Sequence, residues 1–188
     1  MALENRDPVA RVPSQPPDLN EANPVKYSPT QCARNRATVL HQGQMYGAHP
    51  YTVHLRSVWF SLLAHHFFAE TYGVAAWLHD SLEDTSLTLA ELTQEFGGEA
   101  AHLVAAVTTP HSIGNRKARF EVLAQQLAAV PEAVPLKLAD RLAHVRQGPG
   151  PFLRMYKKEH PAFRASLFPL NRDGRVLRMW AELDRRLA

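Results

Sequence analysis

His79, Asp80, Glu83 and Asp84 stand within six consecutive residues, and the segment leading into them, Ala75-Ala76-Trp77-Leu78, is apolar. Imidazoles and carboxylates are the side chains that hold divalent ions and move protons. On a helix turning about 100° per residue, the four fall at roughly 0°, 100°, 40° and 140° and share a face, with Leu78 and Leu82 opposite. A burial-prone stretch that carries three carboxylates and an imidazole needs something to offset their desolvation. A bound divalent metal is the simplest candidate.

Two other segments carry ligand-type residues. Pro50-Tyr51-Thr52-Val53-His54 sits at an expected helix start, 25 residues before His79. Lys137-Leu138-Ala139-Asp140-Arg141 places Asp140 60 residues after Asp80. Two imidazoles and two carboxylates form a mixed nitrogen and oxygen set, suited to Mn²⁺, Fe²⁺, Mg²⁺ or Zn²⁺ rather than copper or an iron–sulfur cluster. A site with few protein ligands leaves room for water and substrate, and an ion there acidifies water enough for attack on phosphorus. Glu83 and Asp84 lie about one turn beyond His79 and Asp80, placed to orient that water or take its proton. Plainer readings stand beside these: a solvated helix face for the 79–84 run, a helix salt bridge to Lys137 for Asp140, and a capping or core role for His54.

The elements that must position these groups read as helices near 30–45, 52–70, 73–84, 88–96, 99–108, 116–130, 133–146, 152–158, 161–167 and 174–187. Thr88-Leu89-Ala90-Glu91 is a capping box, and Gly97-Gly98 closes its helix. No alternating strand pattern is evident. The expected class is all-α, a bundle of roughly eight to ten helices, with 52–70 apolar nearly all round and therefore central. His41 reads as a packed or supporting histidine, and His65 and His66 as packing or surface groups. His102, His111 and His160 carry no partner pattern. The 174–187 segment reads as an amphipathic surface helix.

Six of the 14 prolines fall in residues 1–29, which reads as an irregular or disordered arm before a single domain over 30–188. The longest apolar stretch, 58–68, is broken by Ser61 and His65-His66 and is too short to span a bilayer. No secretory signal is evident, and the lone Cys32 fits a reducing cytoplasm. A net charge of +3 without a block of like charges favours a small phosphorylated ligand over nucleic acid or a membrane. The oligomeric state is left open.

His54, then His79-Asp80, then Asp140 resembles the H…HD…D signature of the HD phosphohydrolase superfamily. The longer matches are His41-x-Gly43-Gln44, Gly47-x-x-Pro50-Tyr51-x-x-His54, His79-Asp80-x-x-Glu83-Asp84-Thr85 and Lys137-Leu138-Ala139-Asp140-Arg141. They resemble the hydrolase domain of the RelA/SpoT homologue family over about residues 32–147. That resemblance implies an all-α HD domain which removes the 3′-pyrophosphate from ppGpp or pppGpp, with Mn²⁺ as the expected ion. It implies His54, His79, Asp80 and Asp140 as metal ligands, and Glu83 and Asp84 as catalytic carboxylates. Arg116, Lys117 and Arg119 would lie near the substrate's phosphates, with Lys137 and Arg141 offsetting negative charge. The chain is too short for the family's synthetase domain, which implies a stand-alone small alarmone hydrolase.

The base-recognition end departs from the family. Met45-Tyr46 stands where a basic segment is usual, His144 where Asn is usual, and Gln147 where Thr is usual. Tyr46, His144 and Gln147 would then line the nucleoside pocket, with the Tyr46 ring facing a purine. Two rival readings follow. One keeps the fold and metal but changes the substrate to an adenine alarmone, a 3′- or 2′-phosphorylated nucleotide or a nucleoside monophosphate. The other is a regulatory module that binds an alarmone without cleaving it.

Overall fold

A computed structural model describes residues 27–148 and 150–188. The arm expected over 1–29 lies, up to residue 26, outside the described residues. Its end is already part of the first helix, α1 (Pro29–Leu40), where Ser28 and Gln31 form a capping box around a proline at the first helical position. The elements that follow are β1 (Met45–Tyr46), β2 (His49–Pro50), α2 (Thr52–Ala64), α3 (Glu70–Leu78), α4 (Ser81–Asp84), α5 (Leu89–Phe96) and α6 (Gly98–Val107). Then come α7 (Arg116–Ala129), a 3₁₀ turn (Pro131–Ala133), α8 (Val134–Val145), α9 (Pro151–Leu167) and α10 (Gly174–Leu187). The all-α expectation holds.

Two helices make the frame. In α3 every residue from Gly73 to Leu78 is buried, and the helix packs on α1, α2 and α6. In α8 ten of twelve residues are buried, and it packs on α2, α9 and α10. α2 lies between α3 and α8, so His54, His79 and Asp140 each leave a helix that is fixed on several sides. Thr30 and Gly73 bring α1 against α3, and the Glu70 carboxylate accepts from the Thr30 amide at 2.9 Å.

Five local expectations are corrected. α1 ends at Leu40 rather than 45, because Gly43 turns the chain at φ +81° and His41 turns its side chain to Gln44 and Ser81. A short antiparallel ladder follows, pairing Met45 with Pro50 and Tyr46 with His49 around Gly47. Two residues per strand are too few for an alternating pattern to register. The span 52–70 stops at Ala64, where His66 takes φ +67° and the Phe67 amide donates back to the Leu62 carbonyl, a left-handed helix end.

The span 73–84 is not one helix: α3 begins at Glu70 and ends at Leu78, and His79-Asp80 form a turn before the single turn of α4. In α9 the two expected helices are one, with Pro161 inside it. Tyr156, His160, Phe163 and Leu167 form one buried stripe across the proline, and Pro161 itself is exposed, so packing carries the helix past the missing hydrogen bond. The α5 capping box at Thr88 and the amphipathic α10 are as expected.

Candidate metal centre and cleft

His54, in the first turn of α2, has no exposed surface. Its Nε2 lies 3.4 Å from Asp140 Oδ1 and 3.5 Å from Asp80 Oδ2. His79 closes α3. Its Nδ1 is 2.9 Å from the Ala76 carbonyl, which only accepts, so Nδ1 carries the proton and Nε2 faces inward. Nε2 lies 2.9 Å from Asp80 Oδ2 and 3.9 Å from Asp140 Oδ1. One ligand atom from each of His54, His79 and Asp140 falls within 4.8 Å of the others. Asp80 adjoins this group through Oδ2.

Neither His54 nitrogen, nor His79 Nε2, has an aligned hydrogen-bond partner among the described residues. Buried imidazole edges that converge with carboxylates yet lack aligned bonds suit a shared divalent cation. Burial works against charge at His54, but the close Asp140 and Asp80 carboxylates outweigh it and push the imidazole up to about 9. Burial would also raise Asp80 and Asp140. The positive groups facing them, His79 and His54 for Asp80 and Lys137 and His144 for Asp140, hold both well below the usual carboxylate range.

A ring of supports fixes the cluster. The Tyr51 hydroxyl donates to Asp80 Oδ2 at 2.6 Å, and the Tyr51 ring stacks on His41 at 4.9 Å. Lys137 Nζ donates to Asp140 Oδ2 at 2.8 Å, which is the helix pairing the plainer reading foresaw. His144 Nε2 lies 3.2 Å from Asp140 Oδ1, its Nδ1 lies 2.7 Å from the Tyr46 hydroxyl, and its ring stacks on His54 at 4.6 Å.

Glu83 and Asp84 differ in what holds them. Glu83 Oε1 accepts from the Thr109 amide and hydroxyl, and Oε2 accepts from Arg119 at 3.1 Å. Asp84 accepts from Gln44 Nε2 at 3.1 Å and lies 3.1 Å from His111 Nε2. Gln44 is fixed in turn by His41 at 2.6 Å, and His41 by Ser81 at 3.1 Å. The chain Ser81–His41–Gln44–Asp84–His111 is the physical content of the His-x-Gly-Gln segment.

These groups open onto a cleft of about 770 Å³. Asp80, Glu83, Asp84 and Asp140 lie along it, as do Arg116, Lys117, Arg119, Lys137, Arg141 and His144. Most of the sequence-named residues therefore meet in one place. Two do not line it. Tyr46 is turned against His54, ring centroids 4.8 Å apart, with its hydroxyl on His144. Gln147 lies instead beside Ser57, Phe60 and Arg146 at a separate depression.

Sequence reasoning missed several cleft residues. His111 looked like an unpartnered histidine because Asp84 meets it across 27 residues of chain. Thr109, Tyr156 and Glu159 belong to no motif. The N-cap Asn115, before the basic Arg116-Lys117, was the one local signal that a helix start points at this wall.

The family model described as "HD domain" matches residues 33–150. Among curated relatives, a "Guanosine-3′,5′-bis(diphosphate) 3′-pyrophosphohydrolase" of Aquifex aeolicus is 36% identical over 100 residues, 52% of this chain and 14% of that protein. A "Probable GTP pyrophosphokinase" of Mycobacterium leprae is 34% identical over 117 residues, 60% of this chain and 14% of that protein. A "GTP pyrophosphokinase rsh" of Brucella melitensis is 32% identical over 144 residues, 73% of this chain and 18% of that protein. The chain thus spans less than a fifth of the length of these relatives. A solved structure described as a metazoan orthologue of SpoT that hydrolyses ppGpp superposes with a TM-score of 0.70 at 22% identity, over 86% of this chain and 96% of that one. This likeness shows a shared fold.

Proposed function

We propose, from the premise that this chain belongs to the HD-domain family, that it is a metal-dependent phosphohydrolase whose hydrolase domain covers 30–188. The proposed reaction removes the 3′-pyrophosphate of ppGpp and pppGpp, giving GDP or GTP and pyrophosphate. The observation that carries this is the convergence of His54, His79, Asp80 and Asp140 at a cleft that also presents five basic side chains. The name of the Aquifex aeolicus relative supports the substrate class. Mn²⁺ is the proposed ion and the cytoplasm the proposed compartment. No helix among the described residues is long and apolar enough to cross a membrane.

His54, His79, Asp80 and Asp140 would hold the ion, which supplies Lewis-acid polarisation of a phosphoryl oxygen and acidifies water. Glu83 or Asp84 takes the proton of the attacking water as its oxygen bonds to the phosphorus nearest the ribose. The bond between that phosphorus and the 3′ oxygen breaks, and the leaving oxygen takes up a proton to become the 3′-hydroxyl. Arg119 is paired with Glu83 at 3.1 Å, so it both restrains that base and stands ready to meet phosphate oxygens. Lys137 and Arg141 add positive charge along the same wall.

The test is a Mn²⁺-supplemented hydrolysis assay on ppGpp with pyrophosphate and phosphate resolved, and His79→Ala as the control. Pyrophosphate with GDP, lost in the variant, supports the proposal; an inert guanine alarmone refutes the substrate assignment. One observation favours a second reading, a phosphatase or pyrophosphatase for another nucleotide. Tyr46 and His144 are bonded to each other and packed on His54, so the residues expected to face guanine are already engaged. A panel of adenine alarmones, 2′- and 3′-phosphorylated nucleotides and nucleoside monophosphates separates the two.

A further inference from the structure

The basic residues of the cleft have acidic partners of different kinds. Arg119 pairs with Glu83 and Lys137 with Asp140, and both of those carboxylates sit at the proposed reaction centre. Glu159 does not. It comes from α9 and belongs to none of the sequence motifs, yet its carboxylate takes Arg116 in a two-pronged bond through Nε and through NH2 at 2.9 Å. Its Oε2 also lies 3.7 Å from Arg141 NH2.

Arg141 is an unusual partner. It is 5% exposed, and its guanidinium lies 4.4 Å from the Tyr156 ring centroid and 3.9 Å from that of Phe163. The Tyr156 carbonyl accepts from its NH2 at 3.3 Å, and Nε has no hydrogen-bond partner among the described residues. A guanidinium clamped between two rings has already lost its rotamer freedom, so it can meet a planar or tetrahedral anion at little further entropic cost. Phosphate and carboxylate present the same two-oxygen edge to arginine. The Arg116–Glu159 pair is half-open to water, with side chains 58% and 31% exposed, and such a pair exchanges readily.

Resting on the hydrolase reading above, we infer that Glu159 holds the place of a phosphate group remote from the cleaved bond. Arg116 and Arg141 form an anion subsite that the Glu159 carboxylate occupies until that phosphate displaces it. Glu159 therefore weakens binding of every ligand with a phosphate at this wall and sets KM without touching the reacting atoms. It also ties α9 to α7 and α8 whenever the subsite holds no ligand.

The probe is inorganic pyrophosphate, titrated by calorimetry into the metal-free full chain, so that a metal ion at His54, His79, Asp80 and Asp140 does not take up the probe. Glu159→Gln keeps the shape and removes the charge, and affinity is expected to tighten about tenfold, the usual scale for relieving one competing charge-assisted pair. Glu95→Gln, which removes the same charge beside Arg36, where neither residue lines the cleft, should leave affinity unchanged. Adding Arg116→Gln to Glu159→Gln should erase the gain. With ppGpp as substrate, Glu159→Gln should lower KM and keep kcat within about twofold, as expected when the ground state and the transition state gain binding equally.

Unchanged pyrophosphate affinity in Glu159→Gln, or a gain that survives loss of Arg116, overturns the inference. Glu159→Asp, whose shorter side chain cannot span both guanidiniums, keeps the test open if the Gln variant does not fold; it too should bind pyrophosphate more tightly. A wild type that leaves ppGpp untouched would refute the substrate assignment alone, and the pyrophosphate titrations would still decide the role of Glu159.

Discussion

The Tyr51 hydroxyl donates to Asp80 Oδ2 at 2.6 Å, the same oxygen that approaches His79 Nε2 at 2.9 Å. Tyr51 thus aims a carboxylate at the candidate metal centre from outside it. Removing such an outer partner lowers metal affinity by about 10- to 100-fold. Tyr51→Phe should therefore weaken Mn²⁺ binding by calorimetry while kcat at saturating Mn²⁺ stays near that of the parent. An unchanged affinity would mean that Asp80 needs no orienting bond.

Glu83 and Asp84 should separate from the ligands in kinetics. Glu83→Gln and Asp84→Asn are expected to cut kcat by about 10²- to 10⁴-fold, the range for a lost proton-transfer group. Metal affinity should stay that of the parent, because neither residue belongs to the converging His54, His79 and Asp140 group. His54→Ala or Asp140→Ala should instead lose metal and turnover together. Parallel loss of both properties in Glu83→Gln would contradict the role assigned to it.

Gly73 has a steric reason to be glycine. A Cβ there would stand 2.2 Å from Thr30 Oγ1 and 3.0 Å from Thr30 Cγ2. Thr30 cannot swing away freely, since Glu70 holds its amide and its hydroxyl. Gly73→Ala should destabilise by about 1–3 kcal/mol, the scale for overpacking a tight helix contact. Pairing it with Thr30→Ala should recover part of the loss in a double-variant denaturation cycle. Additive losses would show that the helices part without strain.

Glu182 should contribute to acid sensitivity. Hydrogen bonds from Arg146, at 2.7 and 2.9 Å, overcome the effect of burial and hold its carboxyl at about 2, against an ordinary 4.5, with Arg186 adding to them. Because the folded-state value is depressed, the stabilisation is complete above the ordinary value and is lost as pH falls from about 4.5 towards 2. Glu182→Gln should lessen the slope of denaturation stability against pH across that window. A slope equal to that of the parent would remove this network, which joins α8 to α10, from the acid response.

Residues close in sequence were the most legible. His79-Asp80 with Glu83-Asp84, and Lys137 with Asp140, announce their chemistry because charged groups in apolar helical segments need a reason to be there. The capping box at Thr88 and the amphipathic pattern of α10 are likewise local, and both hold in the structure. The break at His79-Asp80 was not legible, since a turn that stays in helical dihedrals leaves the apolar pattern intact. Nor was the continuity of α9 through Pro161, where burial of Tyr156, His160 and Phe163 overrides a local breaker.

By itself, then, the sequence determined an all-helical chain with a set of ligand-type and proton-handling side chains. Those properties follow from periodicity and from the chemistry of neighbours along the chain. Tertiary structure alone decided how the set is used. It placed Tyr51 on Asp80, His111 on Asp84 and Glu159 between Arg116 and Arg141, and it turned Tyr46 onto His144 and Gln147 away from the cleft. Each of these pairs joins different elements. Their contacts depend on how α2, α3, α7, α8 and α9 pack, and no spacing within one segment encodes that.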